Sequence, residues 1–160
     1  MAEKYGEGQI MGSTVVVLLA MGRHCAAVWL GDSRLYRYRD GVLSQLTRDH
    51  SLEAELSLMG VGEQEGQSGN ETGGVLTRAL GAEPDMEIDT ITAEVREGAI
   101  YLLCSDGLIR ELTDDEIEDL LSRTRFEESP QKLIDLALAR GARDNVTVVL
   151  VRAGAPGPRR

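Results

Sequence analysis

The stretch "LLCSDGL" at residues 102–108 is an apolar run that stops abruptly at Asp106. A second apolar run, "VTVVLV" at residues 146–151, begins two residues after Asp144. Short apolar runs rich in β-branched residues are typical of buried strands. If Ile100–Cys104 pairs antiparallel with the second run, the end of one strand lies beside the start of the other. We therefore predict that Asp106 and Asp144 emerge at the same edge of a sheet.

Two neighbouring carboxylates repel each other unless a cation lies close to both. Hard divalent ions such as Mg²⁺ and Mn²⁺ prefer oxygen ligands of this kind. The pair therefore predicts a metal site. A second interpretation stays open, because Asp-Gly after a strand and Asp-Asn before one are also ordinary turn signals. The same holds for Asp32 in "GDSR" at residues 31–34, which alone is typical of a tight hairpin.

The remaining pattern predicts an α+β fold built on antiparallel sheet. Four strand-like runs between Ser13 and Leu46 are separated by breaks that contain Gly or Asp, and they predict an antiparallel meander. Helices are indicated by capping residues and apolar spacing, and further strands by β-branched runs. These predicted helices are 49–60, 114–122 and 129–140, and the predicted strands are 86–95, 99–105 and 146–152. Strand runs followed by helices favour the α+β class.

The bulk composition predicts one acidic domain. The 160 residues are ample for one domain and short for two, so we expect a single domain over 1–153 and a frayed tail over 154–160. The formal net charge of -10 disfavours nucleic acid and anionic membranes as partners. The chain has no long apolar run and no secretory signal pattern, so we expect a cytoplasmic protein. Cys25 and Cys104 lie in apolar runs and are expected to be free thiols.

Five segments, taken together and in this order, resemble one family. They are "VWLGDSRLYRYRDG" (28–41), "LTRDHSL" (46–52), "LTRALG" (76–81), "LLCSDGL" (102–108) and "RDNVTVVLV" (143–151). They look like the successive motifs of the metal-dependent type 2C serine/threonine protein phosphatases in their bacterial form. The resemblance implies two packed antiparallel sheets flanked by pairs of helices. It also implies hydrolysis of phosphoserine and phosphothreonine by water that two or three Mn²⁺ or Mg²⁺ ions activate.

The resemblance implies a role for each acidic residue named above. Asp106 and Asp144 correspond to carboxylates of the main metal cluster, and Asp32 resembles the residue that holds an additional metal together with Asp106. The residues beside these ligands are expected near the metals, namely Gly107, Asn145 and Ser33. Residues 49–81, with a polar and glycine-rich stretch, fall where the family carries a small flap. The implied partners are phosphoproteins and a serine/threonine kinase.

The match is incomplete at the N-terminus. The family normally begins with an arginine that grips phosphate and an Asp-Gly whose aspartate bridges the two central metals, and "MAEKYGEGQIMGS" at residues 1–13 contains neither Asp nor Arg. We therefore expect weak metal binding by these residues, and self-association through exposed sheet edges. The alternative hypothesis is a non-catalytic phosphatase-like domain that binds a phosphoprotein or another partner.

Overall fold

The computed structural model describes residues 12–60, 75–81 and 87–154. These residues form seven strands and four helices. The strands are β1 Val15–Met21, β2 His24–Leu30, β3 Arg34–Arg39, β4 Val42–Gln45, β5 Asp89–Glu94, β6 Ile100–Cys104 and β7 Val148–Arg152. The helices are α1 Leu52–Leu58, α2 Asp106–Ile109, α3 Asp114–Arg123 and α4 Ser129–Ala139.

The strands form two antiparallel sheets that pack face to face. One sheet has the order β1-β2-β5 and the other the order β4-β3-β6-β7. Side chains from both inner faces share one core, in which Trp29 and Tyr101 are the largest members, at 5% and 2% exposure. Residues alternate between the two faces of a strand, so each sheet presents a second face outward.

Helices α2, α3 and α4 cover the outer face of the four-stranded sheet. A second core lies between them, built around Tyr36, Leu102, Ile117 and Leu133. Helix α3 begins at a capping box in which Thr113 and Glu116 satisfy each other's backbone N–H groups. The α+β class and the antiparallel sandwich flanked by helices are confirmed.

The predicted single meander is wrong. Strands β1 and β2 form one hairpin and β3 and β4 another, but the two hairpins lie in different sheets. The chain crosses between the sheets at residues 31–33, where Gly31 has φ of 104°. A hairpin turn and a crossover have the same local signature, because each needs only a glycine and polar residues between two apolar runs. The choice between them depends on which faces the later strands bury.

Smaller differences concern the ends of elements. Helix α1 is shorter than the predicted 49–60, and Ser51 caps it. Strand β7 begins at Val148, two residues later than predicted. Asp106 opens the one-turn helix α2, where a turn was expected. The glycine-rich part of the predicted flap, over 61–74, and most of the predicted tail lie outside the described residues. No described helix is long and apolar enough to cross a membrane.

Apolar surface remains exposed on one side of the sandwich. On the outer face of β1, Leu19 and Met21 are 58% and 85% exposed. A cleft of about 950 Å³ opens between the sheets beside β1 and β7, and its lining includes Leu18, Tyr101 and Val151. On this side of the described fold, the edge strands β1 and β7 and an apolar surface are therefore open to contact with another molecule.

Candidate metal site

The pairing of β6 with β7 brings the two predicted acidic segments together. Cys104 lies opposite Val148, which is the antiparallel pairing that the sequence predicted. Just beyond the ladder, the backbone N–H of Ser105 donates to the carbonyl of Thr147 at 3.1 Å. The Ser105 hydroxyl accepts from the Thr147 N–H and donates to the Asn145 carbonyl, both at 3.0 Å. The segments that carry Asp106 and Asp144 are thus joined by three hydrogen bonds.

Gly107 allows an unusually close approach between these segments. A Cβ at this position would lie 2.4 Å from the carbonyl oxygen of Asn145 and 3.0 Å from its carbonyl carbon. Contacts this short do not occur between a real side chain and backbone. The glycine therefore fixes how near α2 lies to the loop of Asp144. The predicted neighbours Gly107 and Asn145 lie at the site, and they act through backbone packing.

Arg110 joins the two carboxylates. Its Nη2 lies 2.7 Å from Oδ2 of Asp106, and its Nη1 lies 3.6 Å from Oδ2 of Asp144. The side chains of Asp106 and Asp144 are 23% and 46% exposed, so both open to solvent at the sheet edge. One cationic group thus contacts both predicted ligands at this edge of the sheet.

Asp32 approaches the same edge from the crossover between β2 and β3. Burial raises the pKa of the Asp32 carboxyl above its ordinary value, and the negative charge of Asp106 raises it further. Its neighbour Ser33 shares a hydrogen bond of 2.9 Å with the hydroxyl of Thr14. The structure therefore brings Asp32 within electrostatic reach of Asp106, and it places Ser33 against Thr14, the residue before β1.

Two residues beside this site were not singled out in the sequence. Asp49 accepts three hydrogen bonds from Arg34, at 2.8 to 3.0 Å. His50 contacts Gly31 through its ring and its backbone. Both belong to "TRDH", and the available signal was the charge match between this motif and the arginine of "GDSR". Arg34 is half-buried, and its hydrogen bonds to Asp49 and Tyr36 hold its pKa above the ordinary value against the cost of burial.

The donor set fits a divalent cation in its chemistry. Three carboxylates, from Asp32, Asp106 and Asp144, face one guanidinium, which leaves an excess of negative charge from hard oxygen donors. Across residues 12–60, 75–81 and 87–154, no group of three or more His, Cys, Asp or Glu side chains is close enough to hold a metal ion. The arrangement is therefore a pair of carboxylates held by Arg110, with Asp32 as a neighbour.

The fold is that of a type 2C phosphatase-like domain. The chain belongs to the protein phosphatase 2C family, which matches residues 2–150. The serine/threonine phosphatase stp of Listeria monocytogenes is 37% identical over 142 residues, which are 88% of this chain and 56% of the relative. PstP of Mycobacterium tuberculosis is 38% identical over 140 residues, which are 88% of this chain and 27% of the relative.

Solved structures of phosphatases are also similar to this chain in fold. The M. tuberculosis phosphatase PstP/Ppp superposes with a TM-score of 0.83 at 36% identity, covering 90% of this chain and 61% of that one. PppA, described as a key regulatory component of the type VI secretion system in Pseudomonas aeruginosa, gives 0.79 at 40% identity, covering 89% and 58%. The PstP catalytic domain has also been solved in complex with two manganese ions. The chain thus spans between about a quarter and three fifths of these relatives.

Proposed function

We propose that this chain carries part of the metal centre of a phosphoprotein phosphatase acting on phosphoserine and phosphothreonine. The observation that carries the proposal is the single guanidinium that contacts both Asp106 and Asp144. Both carboxylates lie against one cationic group, and oxygen donors of this kind are the ligands that Mn²⁺ and Mg²⁺ prefer. The relatives named as serine/threonine phosphatases, and the two manganese ions of PstP, support the same reading.

Each aspartate has a separate role in the proposal. Asp106 and Asp144 would hold an ion of the central cluster, and Asp32 would join Asp106 in holding an additional one. When bound, Mn²⁺ or Mg²⁺ would supply Lewis-acid chemistry. It would polarise the phosphoryl group and lower the pKa of water, so that hydroxide is available as the nucleophile near neutral pH. The backbone contact between Gly107 and Asn145 sets the spacing of the main pair.

Arg110 contacts both carboxylates of the main pair, so it affects how a metal ion would bind there. Its guanidinium offsets part of the repulsion between Asp106 and Asp144, because it contacts a carboxylate oxygen of each. The same positive charge opposes a divalent cation at this position. Metal binding therefore requires the guanidinium to move away from at least one carboxylate.

The cellular setting proposed here is a cytoplasmic signalling protein of bacterial type. Its partners would be phosphoproteins and the serine/threonine kinase whose action it reverses. We assign residues 1–153 to one phosphatase-like domain with a flap over about 49–81. The open edges of β1 and β7, with the cleft between them, support self-association as a further proposal.

A second candidate function is a non-catalytic domain that binds a phosphoprotein or another partner. The observation in its favour is again Arg110, because a guanidinium that offsets part of the charge of the carboxylate pair lowers its need for a metal ion. Metal binding separates the two candidates, since only the first requires it.

The test is a Mn²⁺ titration followed by electron paramagnetic resonance, alongside hydrolysis of p-nitrophenyl phosphate and a phosphothreonine peptide. The variants are Asp106→Asn and Asp144→Asn, and the matched control is Asp135→Asn, an exposed carboxylate on α4. We expect weak Mn²⁺ binding that both site variants abolish and the control retains. Slow hydrolysis that follows the same order supports the phosphatase. If the unaltered chain binds no Mn²⁺, the second candidate is favoured and the first is refuted.

A further inference from the structure

His50 is buried beside the crossover that carries Asp32, and both of its ring nitrogens have partners. The residue is 5% exposed. The backbone N–H of Gly31 donates to Nδ1 at 3.1 Å, and Nε2 lies 3.1 Å from Oδ2 of Asp89. Because Nδ1 accepts a hydrogen bond, the ring proton resides on Nε2 and is donated to Asp89. The imidazole ring therefore links β5 to the crossover in a defined orientation.

His50 holds Gly31 by a second hydrogen bond as well. The backbone N–H of His50 donates to the Gly31 carbonyl at 3.0 Å, so both backbone polar groups of Gly31 are bound by one residue. Gly31 has φ of 104°, and a Cβ there would lie 2.4 Å from Cγ2 of Thr14. The crossover thus takes a conformation that only glycine allows, and His50 provides hydrogen-bond partners for both backbone polar groups of Gly31.

Asp32 lies between two residues, Gly31 and Arg34, that are held by adjacent residues of the "TRDH" motif. His50 binds Gly31 on one side, and Asp49 binds Arg34 on the other through a bidentate ion pair. Asp32 lies between these two anchors, so the direction of its backbone depends on both. Replacing either anchor leaves Asp32 present but less restrained.

A direct role of His50 in proton transfer does not fit this geometry. Its ring stacks on Trp29 with the centroids 6.3 Å apart and the planes 20° from parallel. Both nitrogens are already bonded to protein groups, and neither is free to meet substrate. The ring is placed to hold the backbone in the way that outer residues of a metal site orient the ligands.

We propose that His50 is a positioning residue for Asp32, and that its Nδ1 sets how well Asp32 contributes to binding a divalent cation. The inference rests on the proposed function, because it assumes that Asp32 is a metal ligand. The hydrogen bond that matters is the one from the Gly31 N–H to Nδ1. The bond from Nε2 to Asp89 orients the ring.

Two variants separate these two hydrogen bonds. In His50→Asn the amide oxygen reaches the place of Nδ1, so the Gly31 contact is kept and the Asp89 contact is lost. In His50→Gln the amide reaches the place of Nε2, so the Asp89 contact is kept and the Gly31 contact is lost. We expect His50→Gln to weaken the Asp32-dependent part of Mn²⁺ binding about tenfold or more, as outer-residue changes at metal sites do. His50→Asn should stay close to the unaltered chain.

A metal-free measurement provides an independent readout. Hydrogen exchange of the Gly31 amide should remain slow in His50→Asn and become faster in His50→Gln, because only the second loses the acceptor. Thermal unfolding of both variants reports any general loss of packing. If the two variants lose Mn²⁺ affinity equally, or only in proportion to their loss of stability, His50 is a core residue and the proposal is overturned.

Asp32→Ala distinguishes failure of this inference from failure of the proposed function. If Asp32→Ala weakens Mn²⁺ binding while His50→Gln leaves binding and Gly31 exchange unchanged, only the role of His50 is refuted. If Asp32→Ala has no effect while Asp106→Asn abolishes binding, Asp32 is no ligand, and the inference fails together with that part of the proposed function.

Discussion

Replacing Gly107 by alanine tests whether backbone packing sets the spacing of the two acidic segments. The new Cβ would lie 2.4 Å from the Asn145 carbonyl oxygen, where ordinary contacts begin near 3.4 Å. The two nearest atoms, at 2.4 and 3.0 Å, are both backbone atoms of Asn145, so α2 and the loop of Asp144 would have to separate by about 1 Å. Overpacking of this kind costs about 1–3 kcal/mol of the free energy of unfolding.

The cost is measurable as a change in melting temperature. A loss of about 2 kcal/mol lowers the melting temperature of a chain of this size by roughly 4–8 °C. The separation also moves Asp106 away from Asp144, so Mn²⁺ affinity should fall together with stability. Calorimetry and a Mn²⁺ titration of the same sample measure the two effects side by side.

The matched control is Gly154→Ala. A Cβ at Gly154 meets nothing within 4 Å, so this variant should melt and bind Mn²⁺ like the unaltered chain. If Gly107→Ala were indistinguishable from that control in both measurements, the close approach would not determine the site. A loss of stability with full Mn²⁺ affinity would separate the packing from the metal chemistry and refute the link between them.

Three further predictions concern charges and thiols. Arg110→Gln should raise Mn²⁺ affinity severalfold in the same titration, because it removes a cation that competes for both carboxylates, and it should cost less than about 1 kcal/mol as an exposed ion pair. Glu116→Gln should destabilise the chain in urea melts above pH 4.5 and lose this effect as the pH falls toward 2. The reason is that hydrogen bonds from Arg140 lower the pKa of Glu116 from 4.5 to about 2, and a carboxylate with a lowered pKa stabilises the folded state only while it is ionised. Cys25 and Cys104 should not react with a thiol reagent at neutral pH until the chain unfolds, because both are buried and burial raises the pKa of Cys104 to about 12.

Specific outcomes would contradict these three. Weaker Mn²⁺ binding in Arg110→Gln would mean that the guanidinium helps to organise the ligands and does not compete with the ion. A stability difference for Glu116→Gln that stayed constant down to pH 2 would show that the ion pair with Arg140 contributes nothing. Asp135→Asn serves as the control carboxylate in the urea melts. Rapid labelling of a native thiol would place Cys25 or Cys104 at the surface.

The paired strands were predictable because both carry strong local signals. The runs at β6 and β7 are apolar, and each is bounded by Asp next to Gly or Asn, so the existence of both strands follows from the sequence. Their antiparallel pairing was assumed in the sequence argument, and the structure has it. The capping box of α3 was equally readable, since Thr113 and Glu116 have the required spacing. These elements brought Asp106 and Asp144 together as expected.

The crossover could not be predicted from the same signals. The sequence pattern of a strand followed by Gly-Asp-Ser is the same whether the next strand pairs with it or joins another sheet. The structure separates the cases, because Leu35 and Tyr36 are both 0% exposed and β3 is therefore buried on two faces. Two-sided burial depends on helices that occur about 80 residues later, and local alternation carries no information about them.

The packing of the two hydrophobic cores determines how close Asp106 and Asp144 lie. In β6, Leu102 and Cys104 face the helices, while Tyr101 and Leu103 face the other sheet. A shift of one residue in the pairing with β7 would exchange these two sets of side chains, and each would then meet a core of the wrong shape. The register that packs both cores is also the register that places Ser105 opposite Thr147. Asp106 and Asp144 therefore need no attraction of their own to become neighbours, because the packing of the two cores brings their segments together.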